Sequence, residues 1–205
     1  MNPIERLSEA FERFPGIGPR QARRFVQFLL HQQQGFRTAL SEDIKRLGAN
    51  TFQCRECFRW SVKKDTENNL CSICGSTRRE KSILFIVEKD ADLENVERSG
   101  FRGLYFVLGG TIPLAAEEPQ KHVRLKELIA RIERDGSKLH LNEVILGLSA
   151  TTEGDHTRLM LQEKLIPMSQ GMNFKLSSLG RGLSTGSELE YADPDTIASA
   201  LSSRS

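Results

Sequence analysis

All four cysteines of the 205-residue chain fall within 21 residues, as Cys54-x2-Cys57-x13-Cys71-x2-Cys74. A Cys-x-x-Cys pair folds two thiolates and the nearby backbone N–H groups around one ion. Two such pairs make a closed tetrahedral four-sulfur set, the soft-ligand geometry that suits structural Zn2+. Four protein ligands leave no open position for water, so no catalysis is expected at the metal. The same residues could instead form two disulfides or stay as free thiols. Disulfides need an oxidising compartment, and Met1-Asn2-Pro3-Ile4-Glu5-Arg6 runs straight into an amphipathic pattern without a secretory signal. The expectation is therefore zinc on Cys54, Cys57, Cys71 and Cys74, in a cytoplasmic protein.

A module of about 30 residues cannot bury enough apolar surface to stand unaided, so the cysteine cluster argues for several small modules and for a metal staple. No apolar run reaches 18 residues, and no membrane span is expected. The net charge of +2 is unevenly spread. Residues 1–80 hold 14 Lys/Arg against 9 Asp/Glu, and residues 81–205 hold 15 against 18. The basic N-terminal part is the one to offer a polyanion, and the acidic part the one to offer proteins or a cation.

Ile4, Leu7, Ala10, Phe11 and Phe14 share a helical face, which Pro15-Gly16-Ile17-Gly18-Pro19 interrupts. Both glycines are expected to supply permissive φ in a tight turn, with Pro19 opening a second helix whose Ala22, Phe25, Val26 and Leu29 face inward. His31 to Gly35 closes that helix. A further short helix is expected from Ser41, as its cap, to Leu47. Glycines opening a helix expose unpaired N–H groups at the positive end of its dipole, a ready phosphate site. Arg20, Arg23 and Arg24 sit where positive charge opposes that dipole, which points to an anion nearby. The stretch resembles a helix-hairpin-helix motif, which grips duplex DNA by its phosphates rather than its base edges. Read from the residues alone, the same hairpin could serve packing or oligomerisation.

Beyond Cys74, Ile83 to Val87 reads as a parallel strand buried on both faces, ending at Glu88. Gly103 to Leu108 and Glu143 to Leu148 read as two more strands, alternating with helices around Leu93 and Val96, over Lys121 to Arg134, and over His156 to Leu165. That alternation implies a small parallel sheet covered by helices. Glu88, Glu153 and Asp155 would then stand at the ends of different strands, an acidic edge able to hold a weakly bound cation or to remain solvated.

A strand ending in Glu88 and a later strand leading to Glu153-Gly154 resemble the Toprim domain of topoisomerases, primases and recombination proteins. Catalytic Toprim domains carry an Asp-x-Asp just before that Glu-Gly, where this chain has Ser149 and Thr151. No tyrosine nucleophile is evident, since Tyr105 falls in a strand and Tyr191 in the tail.

The order of parts resembles the RecR family of bacterial recombination mediators, from about Leu7 to Leu201. These parts are a helix-hairpin-helix (1–50), a four-cysteine zinc module (51–80), a Toprim domain (81–167) and a C-terminal assembly segment (168–205). Ile86-Val87-Glu88-x-x-x-Asp92, Tyr105-Phe106-Val107-Leu108, and Val144-Ile145-Leu146 with Thr152-Glu153-Gly154-Asp155 carry the Toprim likeness. This chain departs from the family at Thr111-Ile112-Pro113-Leu114, at Ala115 to Pro119 and at Gly182 to Ser187, and ends with Arg204 as its last basic residue. The Gly182–Ser187 loop lacks the lysine of a Walker A phosphate loop.

The resemblance implies a multidomain α/β protein with no enzymatic activity, acting in DNA repair. Such proteins form ring-shaped oligomers, typically tetramers, that clamp DNA without reading sequence. They work with RecO and RecF to load RecA at single-strand gaps, in the cytoplasm at the nucleoid. It further implies that Gly16, Gly18, Arg20, Arg23 and Arg24 contact DNA, that zinc joins the modules, and that Glu88, Glu153 and Asp155 form a partner surface. Two other classes are distinguishable by experiment: a magnesium-dependent Toprim nuclease or phosphotransferase, and a zinc adaptor that binds only proteins.

Overall fold

The computed structural model describes residues 1–63, 68–180, 182–183, 186 and 188–202. They form two compact units, Met1–Thr51 and Phe52–Ser205. Much of the Gly182–Ser187 loop, and Arg204, lie outside the described residues.

The first unit is α1 (Pro3–Glu12), α2 (Pro19–His31) and α3 (Gln34–Asn50). Asn2 starts α1 with a reciprocal cap: its Oδ1 accepts from the Glu5 N–H at 2.9 Å, and its own N–H donates to Glu5 Oε2 at 3.0 Å. Phe11 meets Phe25 edge-on at 5.6 Å and Phe14 at 5.7 Å, locking α1 to α2, while Ala22 and Val26 are buried beneath. The third helix is longer than the expected Ser41–Leu47, and Ser41 lies inside it rather than at its cap. Contacts with α2 account for the early start. Arg37 donates to the Gln32 and Leu29 carbonyls at 2.8 and 3.3 Å, satisfying the end of α2, and Phe36 packs edge-on against Phe28.

β1 (Thr51–Gln53) and β2 (Trp60–Val62) pair as a ribbon flanking the first cysteine pair. The main sheet holds β3 (Ile83–Val87), β4 (Leu104–Val107), β5 (Glu143–Gly147) and β6 (Lys175–Ser178) in the order β4-β3-β5-β6, every pair parallel. In register, Val87 stands between Val107 and Gly147. The chain leaves β3 through α4 (Asp90–Arg98) in one direction. It then returns through α5 (Leu125–Leu139) and continues through α6 (Thr152–Met172) in the other. Because crossovers share one hand, that reversal puts the helices on opposite faces.

The buried residues divide accordingly. On one face Leu84, Ile86, Phe106, Val144 and Leu146 pack with Leu128 and Ile132 of α5 and with Leu161 and Leu165 of α6. On the other, Phe85, Val87, Tyr105 and Val107 pack with Leu93 of α4 and with Cys54, Cys57, Cys71 and Ile73. The cysteine segment thus shares a core with the sheet. An apolar core of this kind supplies what a bare knuckle lacks.

Three further elements differ from the sequence reading. The helix after β5 begins at Thr152, not His156, with the Thr151 hydroxyl accepting from the Gly154 N–H at 3.1 Å. A fourth strand, β6, joins the sheet beside β5. The tail adds α7 (Pro194–Ser202).

Candidate functional site

The chain reverses around the first cysteine pair through Phe58, held at φ +61°, whose N–H donates to the Cys54 carbonyl at 2.9 Å. The second pair turns through Gly75, which donates to the Cys71 carbonyl at 2.9 Å. These turns bring all four Sγ atoms within 4.8 Å of one another, with Cys57 and Cys71 at 3.6 Å. Two thiolates on one tetrahedral Zn2+ stand about 3.8 Å apart, given Zn–S bonds of about 2.3 Å. The backbone N–H groups of Cys71 and Cys74 point at the Cys54 and Cys71 sulfurs, each at 3.4 Å. Sulfurs so placed suit the ligation of one ion rather than disulfides, whose bond is about 2.05 Å.

Buried thiols this close cannot all ionise without a cation. Hydrogen bonding from Cys57 and its neighbours pushes the Cys54 thiol down, while Cys54, the other thiols and burial push Cys74 up. A divalent metal would supply the missing positive charge, so the residues fit structural zinc.

Two segments hold the knuckle in place. Cys57 O accepts from the Val107 N–H at 2.8 Å on the free edge of β4, and Phe58 packs edge-on to Phe106 at 5.4 Å. From α5, buried Arg131 donates to the Glu56 carbonyl at 2.6 Å and pairs with Asp135 and the Glu56 carboxylate, which Arg134 also grips. Burial alone would lower the Arg131 pKa, but Asp135 first, with Cys74 and Glu56, more than offsets this and raises it. Sequence reading missed Arg131, because one arginine on an otherwise amphipathic helix carries no signal of burial.

The three carboxylates expected at the sheet edge are kept apart. Glu88 is buried, and its Oε1 accepts from the Ser149 N–H at 2.6 Å and hydroxyl at 2.7 Å. Glu153 accepts from the Thr111 hydroxyl at 3.1 Å, and Asp155 pairs with Arg158 at 3.2 Å. Among the described residues only the four cysteines bring three or more potential ligand atoms together. Ser149 and Thr151, at the positions of the missing aspartates, are themselves bonded to each other at 3.0 Å.

Gly16, Gly18, Arg20, Arg23 and Arg24 are all exposed, around the start of α2. Gly16 takes φ +75°, a conformation that L side chains rarely adopt. Gly18 does not need that freedom: it is extended at φ −88° and its Cβ position is open. Its contribution is a bare backbone at the helix start, where no side chain caps the N–H groups and the first turn holds no acid. Arg24 also reaches Gln21 at 3.5 Å. A phosphate oxygen is the kind of acceptor this end of α2 would take.

No helix among the described residues is long and apolar enough to cross a membrane.

Compared with known proteins, residues 4–47 match the family description "RecR, helix-hairpin-helix", residues 82–176 "Toprim domain", and residues 182–205 "RecR, C-terminal". The chain is 37% identical over 203 residues to the Recombination protein RecR of Chloroflexus aggregans, covering 98% of this chain and 93% of that one. It is 35% identical to the Recombination protein RecR of Bdellovibrio bacteriovorus, over 100% of this chain and 97% of the other. With that of Prochlorococcus marinus the identity is 35%, over 98% and 94%.

Proposed function

The chain belongs to the RecR family, and on that premise we propose that it is a non-enzymatic DNA clamp of recombinational repair. It acts with RecO and RecF to help load RecA at single-strand gaps, in the cytoplasm at the nucleoid. The observation that carries this reading is the start of α2, with uncapped N–H groups behind Gly16 and Gly18 and three exposed arginines beside them. Those groups grip phosphates and ignore bases, so binding is sequence-independent. Zinc on Cys54, Cys57, Cys71 and Cys74 fixes the knuckle to the sheet and takes no part in chemistry.

One protomer offers few phosphate contacts, so useful affinity comes from several copies closing around the duplex, most simply as a tetramer. An apolar groove of about 780 Å³ in the first unit supports self-association. Ile4, Leu7, Phe14, Leu30 and Ile44 line it and are exposed in the single chain. The absence of enzymatic activity is supported by Glu88, whose carboxylate is occupied by Ser149. Of the acidic edge, Glu88 is buried, and Glu153 and Asp155 are left to serve RecO or RecF rather than a cation.

Two measurements test this reading. Light scattering at low salt should give a mass near four times 23.1 kDa, and duplexes of unrelated sequence should bind alike, with affinity falling steeply as salt rises. A monomer that retains no DNA at low salt would overturn the clamp in favour of a protein-only adaptor. Magnesium-dependent nicking of plasmid DNA, lost on Glu88→Gln, would overturn the non-enzymatic assignment.

A further inference from the structure

Beside Cys74 a cleft of about 280 Å³ opens between the knuckle and α5. Its charged lining is Lys81, Arg131, Arg134 and Lys138 against Glu56 and Asp135, a net charge of +2. A divalent metal held by four thiolates carries the opposite charge, −2, on a compact and largely buried group. Arg131 is the least accessible of the cations, with 5% of its side chain exposed. Burying a guanidinium is costly unless it is fully paired. Asp135 pairs its Nε and Glu56 its Nη1, and Nη1 also donates to the backbone carbonyl of Glu56, inside the Cys54-x-x-Cys57 turn itself. Glu56 is in turn held by Arg134.

We propose that this cleft is the charge-compensating shell of the four-cysteine centre. Arg131 positions the first cysteine turn through the Glu56 carbonyl, and the cleft's surplus of two positive charges offsets the dianionic metal–thiolate group. The proposal rests on the reading of the cysteines as a zinc site and extends it to residues far away in sequence. Outer-shell groups that orient ligands typically change metal affinity about 10–100-fold when removed. Arg131 is a positioning residue, since it would touch the turn and not the metal.

The test measures zinc per chain by elemental analysis, then the rate at which a coloured chelator, 4-(2-pyridylazo)resorcinol, strips zinc from the full-length protein. Arg131→Met/Asp135→Met removes the buried pair together and leaves neither charge orphaned. It should release zinc about 10–100-fold faster than the parent. Arg131→Lys, which keeps the charge but not the planar donor fork, should fall between the two. The Lys81→Met/Lys138→Met variant leaves the buried pair intact and should release zinc several-fold faster. It should also blunt the acceleration that salt causes in the parent.

A parent protein without stoichiometric zinc would overturn the metal reading itself, and the proposal with it. Stoichiometric zinc in the parent with parental release rates in all variants would overturn the proposal alone. Should circular dichroism show the Arg131→Met/Asp135→Met protein unfolded, the lysine variant decides: faster, less salt-sensitive release supports the shell, and unchanged release overturns it.

Discussion

The Cys57 carbonyl accepts a hydrogen bond from the Val107 amide at 2.8 Å, so the cysteine knuckle stands where another strand would extend the free edge of β4. An unprotected parallel edge is a site for unwanted pairing. Here the cysteine cluster and the sheet protect each other: the turn caps the edge, and Phe85, Val87 and Tyr105 share their core with Cys54, Cys57 and Cys71.

Removing the metal should therefore loosen the sheet as well as the loop. Cys57→Ser, or exhaustive chelation of the parent, should cost on the order of 3 kcal/mol or more of folding stability, because metal binding to such sites is folding free energy. Hydrogen exchange provides the check. The Val107 amide should exchange much faster in the variant, and unchanged protection would mean that the knuckle holds its place without a metal.

Gly154 has a steric reason to be glycine. A Cβ there would collide with the Ser149 carbonyl oxygen, which is backbone and cannot swing aside. Gly154→Ala should destabilise the protein by about 2 kcal/mol or more in urea unfolding, well beyond the small effect of this exchange at an open helical site.

Glu88 is a strut between the ends of β3 and β5. Glu88→Ala leaves the Ser149 N–H without its acceptor and should cost about 1–3 kcal/mol, read from the same unfolding curves. Adding magnesium should not alter either curve.

Glu143 sets a dependence on acid. Its carboxyl is held below the usual range, first by the Ser177 hydroxyl at 2.7 Å and then by Lys175 at 3.3 Å, both on β6. A depressed carboxyl contributes stability that is fully present above its unfolded value, near pH 4.3 for a glutamate in general, and is lost as the pH falls through the folded one. Glu143→Gln should lower stability at neutral pH, where that contribution is fully present, and converge with the parent as the pH falls below about 4, so that the acid limb of the profile is flatter.

Much of this was legible in the sequence, because spacing dictates it. Two Cys-x-x-Cys pairs can scarcely do other than meet, and Ile83 to Val87 is too uniformly apolar for anything but a strand covered on both sides. What stayed hidden depended on partners distant in the chain. β6 is Lys-Leu-Ser-Ser, a polar edge strand specified by its pairing with β5 rather than by its own pattern. The early start of α3 rests on Arg37 reaching the end of α2. The carboxylates predicted to line one edge were each drawn off by a neighbour: Ser149, Thr111 or Arg158. Arg131 was invisible for the same reason, since its role comes from Glu56, 75 residues earlier.

The central claim is that the start of α2 grips DNA phosphates, and Arg20→Ala/Arg24→Ala tests it most directly. Both side chains are exposed, so the fold should be unaffected. Fluorescence anisotropy with a labelled duplex, repeated across a salt series, should show weaker binding and a salt slope shallower by roughly two for each protomer engaged. Affinity and slope identical to the parent's would contradict the account and move the DNA contact elsewhere on the molecule.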